Sequence, residues 1–415
     1  MVRGDPLPVY ILNQTVHWFF VGITLPVMVL YMTSKGLDLF EAGIAVSVYS
    51  ATIILLELPT GGLSDSIGRK RVYIYSLMVS MISGTVLLLA TGLPMFLAGY
   101  LLYGVARALS SGSMDAWFVD EFALHHPDGN LQEALAKANV IIPLGLAVGS
   151  LVGGALPMLA AGFTEEVAWM NPYSINILLM VVIVGVQLGL TSVLVQEKAF
   201  QGQGTAASGL KALPRVVSEA VTFGVRDRFT FVLMASTALM GFGLLSVELL
   251  WQPRAQALMD DPSQTWVFGV LAAGYFLASS LGNLLASRLS HRLERGPLGP
   301  LAWMRALSGA VLVALAWQSG LLEFALLYLV LYMVFGLATS PHAAVFNSRV
   351  PKERRSTMMS FESLMLQGGG LIGSFSIGWL AETSGITAAW TVAGAVLLLS
   401  STTYGYLWLS HKVKK

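Results

Sequence analysis

The chain of 415 residues contains no cysteine, so disulfides, thiolate nucleophiles and cysteine-ligated metals are excluded. Charge is scarce as well: Asp, Glu, Lys and Arg make up 11% of the residues, and the formal net charge is +1. A balance this close to neutral argues against nucleic acid as a partner. Neither H-E-x-x-H nor G-x-S-x-G occurs, and no His and carboxylate residues cluster, so an enzyme, a metal site and a bound cofactor are not expected. Residues 1–8 are too short and polar for a signal peptide, and no small-residue cleavage site follows the first apolar run. That run is expected to remain in the mature protein.

What is abundant is apolar surface, at 55% of residues. A soluble globule of this size needs more polar surface, so the chain is expected to live in lipid. A membrane-spanning helix takes ~20 mostly apolar residues, and twelve such runs can be placed. They fall near Val9–Met32, Phe40–Gly62, Val72–Thr91, Pro94–Phe118, Ala138–Ala161, Pro172–Val195, Phe229–Trp251, Thr265–Ser287, Pro300–Ser319, Leu321–Val345, Thr357–Ala381 and Thr387–Leu409. With the N-terminus inside, twenty Lys and Arg residues fall in cytoplasmic segments and two, Lys35 and Arg254, in outer loops, while Arg107 and Arg305 lie within spans. This asymmetry sets both termini in the cytoplasm.

The runs divide into a half over 1–195, a polar linker over 196–228 and a second half over 229–415. In the linker, Leu210, Leu213, Val217, Ala220 and Val221 recur at helical spacing opposite Lys211, Arg215 and Glu219, which predicts an amphipathic helix on the inner membrane surface. An internal repeat is visible in glycine landmarks. Gly61-x-Leu63 recurs as Gly282-x-Leu284 after 221 residues, and Gly149-Ser150 recurs as Gly373-Ser374 after 224. Two landmarks with nearly one offset suit two six-helix halves.

The most specific stretch is Gly61-Gly62-Leu63-Ser64-Asp65-Ser66-Ile67-Gly68-Arg69-Lys70-Arg71. Asp65 is placed to meet neighbouring cations and free N–H groups, and Gly61 and Gly68 permit close helix contact and a tight turn. The pattern resembles the loop between helices 2 and 3 of the major facilitator superfamily of secondary transporters, and every signature position matches. The resemblance implies an all-α fold of twelve transmembrane helices in two six-helix pseudo-symmetric halves, with alternating access to one small-molecule site. It also implies a monomer in the bacterial inner membrane. In span five, Gly145-x-x-x-Gly149-Ser150-x-x-Gly153-Gly154 resembles the G-x-x-x-G-P-x-x-G-G run of the drug/proton antiporter branch, with Ser150 at the proline position and Pro143 earlier in the span. A generic small-residue packing face gives the same spacing. The R-x-x-Q-G pattern of helix four is absent, since Tyr100 and Tyr103 stand where Arg and Gln are expected.

By the same resemblance, a charge network closes the cytoplasmic side. Asp65, Arg69 and Lys70 are expected to meet an acid at the end of span four, Asp120 first and Asp115 second, while Gly61, Gly68, Gly145, Gly149 and Gly153 complete the gating set. Arg107 lies within span four, where an unpaired cation costs roughly 2.5–3.5 kcal/mol on insertion scales, so it is expected to face water or a counter-ion. Glu57, just before Pro59 in span two, suits a group that loads and unloads protons, or a structural partner of Arg107. Asp115, His17 and Glu362 are further proton-coupling candidates, and His342 and Arg305 lie at a similar depth to Glu362. Asn13, Gln14, His17, Trp18, Arg107, Trp251, Tyr275 and Gln367 are candidate substrate contacts. The expected function is proton-coupled efflux of small amphipathic or drug-like molecules. Uptake of a sugar, metabolite or organic anion, and flipping of a lipid or glycolipid, stay open.

Overall fold

The computed structural model describes residues 5–198, 227–290, 296–350 and 355–412, apart from side chains at 58–59, 61–62, 65–66, 287–290, 355–357 and 411–412. The amphipathic helix expected over 210–221 lies outside the described residues. Everything regular among the described residues is helical. The first part of the chain forms α1 (Pro6–Thr24), α2 (Met28–Ser34), α3 (Leu39–Ile67), α4 (Arg69–Leu88), α5 (Leu93–Ser110), α6 (Ser113–His125), α7 (Leu131–Leu159), α8 (Ala161–Glu165) and α9 (Ser174–Leu194). The second forms α10 (Arg228–Ala257), α11 (Trp266–Ser290), α12 (Leu298–Ala316), α13 (Leu321–Arg349), α14 (Arg355–Ser384) and α15 (Ile386–Lys412).

Among the described residues, eleven helical stretches are long and apolar enough to cross a membrane, and α1 with α2 makes a twelfth, bent by 42°. The bend falls at Leu25-Pro26-Val27, where proline cannot donate to the helical ladder. The fourth span is interrupted in its helical run: Gly112 adopts φ +71 between α5 and α6, a left-handed turn that favours glycine. Helix starts are chemically marked. The Asn130 side chain accepts from the Glu133 N–H at 3.2 Å and Asp227 from the Thr230 N–H at 2.9 Å. Large apolar side chains such as Leu159, Val193, Trp303 and Leu399 are well exposed, as expected where lipid is the solvent.

Two compact units emerge. The first holds Met1–Gly36, Ala51–Leu213 and Ser263–Ala273; the second holds Leu37–Ser50, Pro214–Pro262 and Gly274–Lys415. The boundaries cut through α3 and α11, so each unit keeps part of both helices. In the first unit α1 packs on α7 and α9, and α4 on α5 and α9, around Phe20, Tyr73, Phe118 and Met180. In the second, α10 packs on α14 and α15, and α12 on α13 and α15, around Met234, Leu301, Phe346 and Tyr404. The pairings are the same four, taken in the same order along the chain.

The glycine landmarks make the repeat physical. A Cβ on Gly145 or Gly149 would run into the carbonyl oxygens of Thr15 and Phe19 on α1. On Gly369 or Gly373 it would run into those of Ala238 and Phe242 on α10. Glycine at four-residue spacing thus lets two backbones touch, once in each unit and in the same register.

Candidate functional site

The second unit contains a cavity of about 500 Å³. Its wall is largely apolar, with Met240 and Leu244 from α10, Phe335 and Phe346 from α13, and Met359 and Leu366 from α14. Into it project a set of polar groups from five helices. His342 Nε2 lies 2.6 Å from Glu362 Oε1, and His342 Nδ1 lies 2.7 Å from the Tyr404 hydroxyl. Thr237 Oγ1 adds a longer contact to Nε2 at 3.4 Å. The Arg305 guanidinium lies 5.6 Å from the centre of the Tyr404 ring, a cation–π distance. Arg305 is only 5% exposed, and its Nη1 has no hydrogen-bond partner among the described residues. The arrangement can hold a proton between His342 and Glu362 beside a fixed positive charge.

In the first unit, Asp115 is exposed and accepts from the Tyr10 hydroxyl at 2.7 Å and Gln14 Nε2 at 3.1 Å, which ties α6 to α1. Arg107 is exposed on α5, and Glu57 is half-buried on α3. His17 is half-buried, edge-on to Phe20 and Trp18, with Nδ1 buried and unpartnered among the described residues. Asn13 is buried in a neutral network. Its Nδ2 donates to Thr191 Oγ1 at 2.6 Å, while Gln187 Nε2 lies 3.0 Å from Asn13 Oδ1 and 2.9 Å from the Tyr73 hydroxyl. The remaining candidates lie off the cavity wall. Trp251 is fully buried against Tyr328, and Tyr275 stacks on Tyr332, whose hydroxyl binds Glu248. Gln367 is half-buried on α14, beside the lining residue Leu366.

The signature loop is resolved at its second glycine. Gly68 has φ +101, and a Cβ there would meet Glu197 Oε2 at 2.7 Å. The Glu197 carboxylate accepts from the Arg69 N–H at 2.6 Å and the Lys70 N–H at 3.3 Å, so it caps α4, where the helix leaves N–H groups free. The Arg69 guanidinium pairs with Asp120 and donates to the Ala116 carbonyl at 2.5 Å; Lys70 Nζ reaches the Ser192 carbonyl at 2.9 Å. Glu121, next to Asp120, is buried and accepts from the Lys198 N–H at 2.5 Å. Of Gly61 and Asp65 only the backbone, within α3, is described. Sequence reasoning missed Glu197 and Tyr404: the first sat at the edge of what read as linker, and nothing local marks a carboxylate that caps a helix 128 residues earlier.

The Major Facilitator Superfamily model matches residues 10–254 and 231–415. An uncharacterized MFS-type transporter, YxaM of Bacillus subtilis (strain 168), is 20% identical over 388 residues, which cover 91% of this chain and 90% of the relative. Among solved structures, the nucleoside transporter NupG is similar with a TM-score of 0.77 at 13% identity, covering 98% of each chain. The human organic anion transporter MFSD10 (TETRAN) has a TM-score of 0.63 at 16% identity, with 97% and 100% covered. A bacterial homolog of the human lysosomal transporter Spinster, inward-facing and unoccupied, has a TM-score of 0.73 at 14% identity, with 97% and 96% covered. Family match, helical architecture and apolar spans agree: the chain belongs to the Major Facilitator Superfamily and is a multi-pass membrane protein built for secondary transport.

Proposed function

We propose that the protein is a proton-coupled carrier of small amphipathic molecules working by alternating access, with His342 and Glu362 as its proton site. The observation that carries the reading is a titratable pair bonded at 2.6 Å on the wall of an otherwise apolar cavity of about 500 Å³. That volume lies within the range of small-molecule sites, and a few placed polar groups in an apolar wall are their usual lining. Of the proton-coupling candidates Glu57, Asp115, His17 and Glu362, only Glu362 lines this cavity. Arg69 and Asp120 serve as a latch that holds α4 to α6. The lysine and arginine asymmetry supports cytoplasmic termini in a bacterial inner membrane, and the protein acts as a monomer over halves 1–195 and 229–415.

Direction follows from linkage. A substrate that competes with the proton is exported against a proton gradient, and one that binds together with it is taken up. Export of drug-like molecules, the expectation from the glycine run of α7, is the first case; uptake of a metabolite or an organic anion is the second. The test is proton movement in proteoliposomes under an imposed pH gradient, challenged with lipophilic cations, neutral amphipaths, sugars and organic anions. A substrate-triggered proton flux lost in both His342→Gln and Glu362→Gln is expected. Flux that persists undiminished in both variants rejects the pair as the proton site.

A further inference from the structure

We infer that the transported molecule is an organic monocarboxylate that docks its acid group on Arg305 and crosses together with the proton held by His342 and Glu362. The inference rests on the proton-coupled reading above and adds to it a substrate class and a sign of coupling. It begins with a cation that leans on the Tyr404 ring but has no carboxylate partner among the described residues. Arg305 lies on the cavity wall, is nearly fully buried, and leaves Nη1 without an acceptor among the described residues. Guanidinium stays charged at any working pH, and a buried charge within a membrane bundle is costly unless it is paired. The nearest acid on the same wall, Glu362, already engages His342. A carboxylate arriving in the cavity would supply the missing acceptor in the forked geometry that guanidinium favours.

Charge accounting then fixes the coupling. The groups facing the His342–Glu362 pair are Arg305 from α12 and Tyr404 from α15, while α10 brings Thr237, Met240 and Leu244, none of which titrates. Without its extra proton the pair carries one negative charge, and the cavity is neutral overall with Arg305; with the proton, the cavity carries one positive charge. A monocarboxylate therefore leaves the cavity one charge short in the first state and neutral in the second. In a low-dielectric wall the neutral combination is strongly preferred, and linkage is reciprocal. Acid and proton bind together, and an inward proton gradient drives uptake. A dianion would leave a charge over in either state, so a single carboxylate is the better match. The remaining body of the ligand rests on Met240, Leu244, Phe335, Phe346 and Met359.

The test uses the full chain in detergent and two matched pairs, naphthaleneacetate with its primary amide and 4-phenylbutyrate with its primary amide, titrated calorimetrically at pH 6 and pH 8. The acid is expected to outbind its amide by about tenfold to a hundredfold, the span for one hydrogen bond to a charged group, and to bind more tightly at pH 6. Arg305→Gln should erase the acid preference and Arg305→Lys should keep part of it. Should Arg305→Gln fail to fold, the wild type and Arg305→Lys still decide. Equal binding of acid and amide, an acid affinity that does not rise toward pH 6, or no binding of any of the four compounds overturns the inference. In proteoliposomes, proton entry triggered by the amides but not the acids overturns the anchor and keeps the proton-coupled reading. Acid binding without any flux rejects that reading while the anchor stands.

Discussion

Replacing Gly68 by Ala tests why the signature loop needs its second glycine. Two costs follow from the structure. At φ +101 an L-residue is strained by roughly 1–3 kcal/mol. The new Cβ, 2.7 Å from Glu197 Oε2, also pushes the carboxylate off the Arg69 and Lys70 N–H groups. A charge-assisted cap of this kind is worth about 1–2 kcal/mol, so the variant should lose about 2–5 kcal/mol. Glu197→Ala removes only the cap and should lose about 1–2 kcal/mol, while Glu197→Gln keeps an acceptor and loses about 0.3–1 kcal/mol of interaction with the helix dipole. The decisive measurement is the double variant Gly68→Ala/Glu197→Ala, because the displaced carboxylate is counted in both single changes. Its loss should fall short of the sum by about 1–2 kcal/mol. Unfolding of the purified protein in mixed micelles, followed by tryptophan fluorescence, gives all four values. Strict additivity, or Gly68→Ala as stable as wild type, refutes the account.

Gly149→Ala should destabilise the first unit because the added methyl meets the Phe19 backbone, whereas Gly189→Ala on α9, with nothing within 4 Å, should be neutral or gain up to about 1 kcal/mol from helix propensity; thermal midpoints of the two separate the cases. Asp120→Asn should cost under about 1 kcal/mol, since Asp120 is 49% exposed, yet spin-label distances across the latch should broaden; a stability loss as large as that of Gly68→Ala would assign the pair a structural role instead. Asp227→Ala should cost about 1 kcal/mol by removing the cap of α10. Partial burial raises the Asp227 pKa, but hydrogen bonds from the Thr230 hydroxyl and N–H and the Phe229 N–H, with the charge of Arg349, outweigh it and hold the carboxyl below its ordinary value. A depressed folded value contributes stability above the unfolded carboxylate pKa and loses it as pH falls through the folded one. Wild type should therefore lose more of its thermal midpoint than Asp227→Asn between pH 5 and pH 3, by a small margin because the site is largely solvated.

The spans were legible because a run of ~20 apolar residues has few other uses. The breaks inside them were not. Pro26 is visible in the sequence, but so are Pro143 and Pro157, which α7 absorbs, so proline alone does not locate a bend. Gly112 looks like any of 42 glycines until its φ is known. The contact between Arg69 and Asp120 was readable through the resemblance of the signature loop, which implies an acid near the end of span four as its partner. The cluster of Arg305, His342, Glu362 and Tyr404 was readable only as depth: each residue sits on a different helix, and no local spacing says that four helices turn these faces toward one cavity.

The repeat bears on where the chemistry resides. Helices α1, α4 and α9 stand to the first unit as α10, α12 and α15 stand to the second, by their shared pairings and by the glycine register. In the first unit this three-helix junction is filled by Asn13, Tyr73, Gln187 and Thr191, neutral groups bonded to one another and buried. In the second, the corresponding helices bring Thr237, Arg305 and Tyr404, which line a cavity and meet His342 and Glu362. A neutral network has no charge for a proton or an ion to meet, while a charged one with an unpaired donor responds to protons and ligands. Under the proposed reading, equal scaffolds with unequal junctions put the coupling chemistry in the second half and leave the first to hold its shape. Exchanging Asn13 for Ala should accordingly lower thermal stability and leave the ratio of protons to substrate unchanged, and a shift in that ratio would place coupling in both halves.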